Sequence, residues 1–169
     1  MTLLESGESA RFLARRLVIL ASEDVGLADP MGLLVAESAA RAVEFVGLPE
    51  ARLTLAHATI TLALLPKSNA VTRALGAVTQ AVQAGGHIEV PDHLRDGHYR
   101  GASEIGFGTN YQYPHDFDNG WVDQQYLPDG QKGARFFDPS FYGREQALVE
   151  QWRRRTGQTD TDGTTTPVE

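Results

Sequence analysis

The residues best suited to chemistry fall into a few short stretches. In LVILASEDVGLADP, residues 17–30, the carboxylates of Glu23, Asp24 and Asp29 lie between two apolar runs. Paired carboxylates do acid–base work when their environments split their pKa values around a substrate cavity, but no second catalytic residue type accompanies these. Helix ends explain the same residues: Asp29 can accept from exposed backbone N–H groups, Pro30 is tolerated at a first helical position, and Asp24 suits a turn around Gly26. In YQYPHDFDNGW, residues 111–121, His115, Asp116 and Asp118 could approach a divalent cation. A metal site needs further ligands in fixed geometry, however, and His87, His93 and His98 fall in no ligand spacing. A loop histidine bonded to a carbonyl or an aspartate is the simpler reading. In PKSNAV, residues 66–71, Lys67 and Ser68 precede a helix and could meet a phosphate, yet the glycines of a Walker loop are missing. No G-x-x-x-x-G-K-[ST], G-x-G-x-x-G or G-x-S-x-G occurs, so nothing supports a nucleotide site or a serine nucleophile. Neither catalytic, cofactor-binding nor metal-ligating residues are expected.

Composition narrows the classes further. The chain has 169 residues, 41% hydrophobic and 22% charged, enough for a real core and unlike a disordered or collagenous chain. Its net charge of −7 disfavours a free-standing nucleic-acid binder, which needs a basic face to displace counterions. Aromatics crowd the last third, among them Tyr111, Tyr113, Trp121 and Tyr126; on an acidic chain they are better suited to pinning loops or filling an interface than to stacking on bases. The absence of cysteine suits a reducing cytoplasm, and MTLLESGESARFLARR lacks the pattern of an export signal. The most apolar run, Leu53 to Pro66, is too short to span a bilayer and contains His57; it reads as a buried core helix.

The elements that must position these residues are helical. Apolar spacing from Phe12 predicts a helix capped by Ser6 or Ser9 and stopped by Gly26. A second runs from Asp29–Pro30 to about Val46, and Gly47 and Pro49 introduce a third that reaches Leu65 before Pro66. Ser68 or Asn69 caps a fourth through Ala84. Short turns predict antiparallel packing in a compact bundle over residues 8–85. Residues 86–138 are loop-rich, with single turns at Asp92 and before Gly106. A final helix occupies 143–156, and the polar tail 157–169 is expected to be disordered.

The stretches ARRLVILASEDVGLADP, LPKSNAV, VPDHLRDG, YQYPHDFDNGWVDQQYLP and FFDPSFYGRE occur in an order that resembles the C-terminal region of the replication-associated recombination protein A family. These AAA+ ATPases, also called the MgsA or Werner-helicase-interacting protein family, are similar to clamp loaders. The resemblance implies an all-α domain, residues 1–156: a clamp-loader-collar-like bundle, a long irregular region and a C-terminal helix. It implies a non-enzymatic fragment lacking the P-loop core, with Met1 to Gly7 continuing a preceding helical region. It also implies a homotetramer whose full-length protein uses ATP and Mg at replication forks, reaches DNA and possible replication-fork proteins, spans no membrane, and sits in the cytoplasm with the nucleoid. The signature residues, for which a structural role is expected, are Ser22, Glu23, Asp24, Gly26, Asp29 and Pro30; Pro66, Lys67, Ser68 and Asn69; Pro91, His93, Leu94 and Arg95; Tyr113, His115 and Asp116; and Tyr126 and Pro128. Leu64, Leu65, Val71 and Leu75 are candidates for packing. A rival reading makes the loop aromatics, with Arg95, Arg100 and Arg135, a module for nucleic acid or a partner protein.

Overall fold

The computed structural model describes residues 2–85, 88–98 and 100–158. Expectations for Gly86, His87 and the tail from residue 159 onward fall outside them. The fold is all-α, with no strand among the described residues. The chain divides into two compact units: Met1–Gln80 with Arg135–Ala147, and Ala81–Ala134 with Leu148–Glu169.

In the first unit a short helix α1 (Thr2–Glu5) precedes α2 (Ala10–Leu20). Ser9 caps α2, its hydroxyl accepting from the Phe12 N–H at 3.4 Å. Beyond Leu20 the helix widens into a π-turn, Ala21–Val25, so its last stretch is not the regular helix that periodicity predicts. Gly26 ends it at φ +51°, and a Cβ there would lie 2.8 Å from the Ser68 carbonyl oxygen. Glycine is required on both counts. A 3₁₀ turn, Gly26–Ala28, leads to α3 (Met31–Phe45), where the Asp29 Oδ1 accepts from the Met31 N–H at 3.0 Å. Gly47 at φ +77° closes α3, and α4 (Ala51–Leu64) returns antiparallel to it.

Helices α2, α3 and α4 pack on one another. Ala14, Ala39, Leu55 and Ala58 form one part of the core, and Ala21, Val25, Ala36 and Leu62 the other. Alanine at most contact positions brings the axes close, while Leu55 and Leu62 supply the largest buried apolar side chains. The fourth helix, α5 (Ala70–Gln83), departs from the expected four-helix packing. Of its residues only Ala70 is buried. The cause is the extended Leu65–Asn69 segment, tied by the Ser68 N–H to the Asp24 carbonyl at 2.7 Å, which starts α5 at the far end of α2.

The second unit is built mostly of single 3₁₀ turns, among them Asp92–Leu94, Ser103–Ile105, Pro114–Asp116 and Asp129–Gln131. Ala102 and Val122 are its buried apolar residues among those described. Gly97 and Gly108 let two backbone segments nearly touch: a Cβ on Gly108 would sit 3.0 Å from the Gly97 Cα. The helix α6 (Glu145–Thr156) ends at Gly157, φ +67°, and the Trp152 indole meets that of Trp121 edge to face at 6.3 Å.

Candidate functional site

Each unit joins signature stretches that lie far apart in sequence. In the first, Asp24, Gly26, Ser68 and the segment FFDPSFYGRE converge. The Ser68 hydroxyl accepts from the Ala70 N–H at 3.2 Å and lies 2.7 Å from the Ser140 hydroxyl. Ser140 in turn meets the carboxylate of Glu145, which is fully buried and takes both its N–H and, at 3.0 Å, its hydroxyl. A carboxylate only accepts and each hydroxyl has one proton, so the chain runs from Ser68 through Ser140 to Glu145. The Arg144 N–H donates to the Ala28 carbonyl at 2.8 Å, and Arg73 bonds the Asp138 carbonyl at 2.6 Å. Residues 138–145 thus form a strap over the α2–α3 junction.

This geometry gives the junction acids a backbone role. The carbonyls of Glu23 and Asp24 accept from the Thr72 hydroxyl and the Ser68 N–H, while the side chains of Ser22, Glu23 and Asp24 lie exposed. Lys67 is exposed too, but its Nζ donates to the Leu62 and Leu65 carbonyls at 2.7 and 2.6 Å. It satisfies the open end of α4, so it is not poised for a phosphate. The Asn69 carbonyl accepts from the Arg73 N–H, and Pro30 and Pro66 flank the helix ends on the surface.

In the second unit the His93 Nε2 lies 2.8 Å from the Gln125 carbonyl, and the Gln125 amide reaches the Leu127 carbonyl and, at 2.7 Å, the Asp129 carboxylate. The Gln124 amide bonds the Gln112 carbonyl at 2.8 Å and the Tyr126 hydroxyl at 3.1 Å. Pro91 and Pro128 open 3₁₀ turns, their carbonyls accepting from Leu94 and Gln131. Arg95, a candidate for nucleic-acid contact by sequence, is engaged: it pairs with Glu89 at 2.6 Å, bonds the Val90 carbonyl and lies 4.7 Å over the Phe107 ring. His115 and Asp116 are exposed, the histidine ring 5.0 Å from that of Tyr113. Among the described residues no three His, Asp or Glu side chains converge as metal ligands. Asp96, which the sequence does not single out, has its carboxyl held below the ordinary range by the His98 N–H and then by the ring of His98.

The feature sequence reasoning missed is the outer face of α4. Ala51, Leu55, Ala58 and Leu62 point into the core. On the opposite side Leu53, His57, Ile60 and Leu64 are exposed, the three aliphatic residues at 79%, 60% and 80%. The expectation of a buried core helix therefore holds for one face only. Phe45, at the corner where α3 turns toward α4, is 92% exposed. Along α5, Val71, Leu75, Val78 and Val82 make a further exposed apolar row.

The sequence profile of the family described as MgsA AAA+ ATPase C terminal matches residues 1–156. The chain belongs to this family. It is 44% identical over 149 residues to replication-associated recombination protein A of Bacillus subtilis, covering 88% of this chain and 35% of that protein. It is 52% identical over 147 residues to an uncharacterized AAA domain-containing protein of Mycobacterium tuberculosis, covering 87% of this chain and 32% of that protein. The Escherichia coli K12 replication-associated recombination protein A is 34% identical over 88% of this chain. The chain spans about a third of the length of these relatives. Within the family region the P-loop pattern is absent, and among the described residues no helix is long and apolar enough to cross a membrane.

Proposed function

We propose that this domain is the assembly module of a clamp-loader-like AAA+ ATPase, holding copies of itself together, as a homotetramer in the complete protein. The supporting observation is α4: a helix apolar on both sides belongs in an interior, and α2 and α3 cover one side only. Outward Leu53, Ile60 and Leu64 need a second surface. Family membership supports a role for the whole protein in replication and recombination; action on DNA and with replication-fork proteins, in the cytoplasm at the nucleoid, belongs to the same proposal. ATP and Mg fit the ATPase core of the longer relatives; here Lys67 and Ser68 are committed to protein contacts.

Light scattering at tens of micromolar tests the reading. A mass of several chains is expected; a monomer overturns it. A second reading, binding of single-stranded nucleic acid, is favoured by one cluster: Trp121, Tyr126 and Trp152 lie ring to ring at 6.2 and 6.3 Å, and Arg154 and Arg155 follow Trp152 in the last turn of α6. It requires binding that weakens steeply with salt. An oligonucleotide titration at low salt with no signal removes it.

A further inference from the structure

We propose that two copies of the chain pack α4 against α4, antiparallel, across a two-fold axis passing between His57 and Ile60. The proposal rests on the assembly reading and specifies its contact. Leu53, His57, Ile60 and Leu64 are spaced four, three and four residues apart, the repeat that keeps one line of a helix facing a partner. That spacing reads identically in either direction. An antiparallel partner therefore sets Leu53 against Leu64 of the second copy and His57 against Ile60 of the second copy. A parallel partner would press the two His57 imidazoles together.

Charge separates this face from that of α3. A two-fold contact brings like surface to like surface, so a charged face opposes itself. Between Arg52 and Lys67 the sequence holds no Asp, Glu, Lys or Arg. The outward line of α3, by contrast, runs through Leu34, Ser38, Arg41 and Phe45 and is flanked by Glu37 and Glu44. On α5, Val71, Leu75, Val78 and Val82 are each less exposed than Leu53 and Leu64.

The α4 line is about 16 Å long at 1.5 Å per residue. A stable contact needs roughly 1,000 Å² in total, more than one short helix line provides. Phe45 and Leu48 are exposed at the corner before α4, near its Leu53 end, and the two-fold would bring a second such pair to the other end.

The chain has no cysteine, so introduced thiols report only on themselves. L53C and L64C are purified separately, then oxidised alone and as a mixture. The expected result is a disulfide dimer that forms at least tenfold faster in the mixture than in either protein alone. Faster L53C self-crosslinking overturns the antiparallel arrangement. Independently, I60E, whose helicity is checked by circular dichroism, is expected to drop at least one step in mass by light scattering. An I60E variant that keeps the parental mass overturns the α4 contact while leaving assembly standing. A parental chain that is itself monomeric overturns the assembly reading.

Discussion

Glu145 takes both polar hydrogens that Ser140 can offer, one from its N–H and one from its hydroxyl, and does so with no solvent exposure. Removing the carboxylate strands those donors in the interior. E145A should cost about 1–3 kcal/mol, and E145Q should cost less while leaving its NH₂ facing a donor. Thermal or urea denaturation of the two variants beside the parent checks the order; equal stability of all three would refute the network's role.

Gly143 tests the strap more severely. Its φ is +56°, and a Cβ would fall 2.2 Å from the Ala28 carbonyl oxygen and 2.7 Å from the Pro66 ring. G143A cannot be absorbed by a flexible neighbour and should lose about 2–4 kcal/mol. By contrast, an alanine at Gly76, an open helical site, should stabilise slightly, by up to about 1 kcal/mol. The pair measured by denaturation distinguishes steric conflict from a general effect of replacing glycine.

Leu55 lies at the centre of the α2–α3–α4 core, against Ala14, Ala39 and Ala58. Small neighbours cannot swell to fill a vacated site. L55A should therefore sit in the upper part of the range for such truncations, about 3–5 kcal/mol. L53A, which removes the same volume from the outer face, should barely change the stability of a dilute sample, and the contrast is read by denaturation at low protein concentration.

Asp96 should titrate below its ordinary value of 3.8 because the His98 N–H and ring stabilise its charged form. A depressed carboxyl favours the fold above the unfolded pKa, and that contribution fades as pH falls through the folded one. NMR titration of Asp96 in H98A should show only partial return toward 3.8, since the larger contribution comes from a backbone N–H the variant retains. A full return would reverse the ranking of the two bonds.

Much of the helical layout is legible because its punctuation is chemical: Asp29–Pro30, Gly47, Pro49 and Pro66 mark ends that the chain must observe wherever it packs. The π-turn at Ala21–Val25 is not, since one extra residue in a turn leaves the apolar spacing nearly unchanged. Nor is the sidedness of α4. Apolar residues all round a helix state that both sides need covering without stating by what, and Leu64 and Leu65, adjacent in sequence, end on opposite sides of that question. The strap hides for another reason: Glu145 looks like an ordinary first-turn acid until Ser68 and Ser140 arrive from distant segments. Arg95 misleads in the opposite way, its charge being spent on Glu89 and the Phe107 ring.

The exposed Leu53, Ile60 and Leu64 of α4 carry a consequence for how the protein melts. A chain that self-associates through that exterior, as proposed, would owe much of its resistance to heat to encounters between molecules. Dilution alone should then lower the melting temperature, and a hundredfold more concentrated sample should survive several degrees further, whereas I60E should melt at one temperature whatever its concentration.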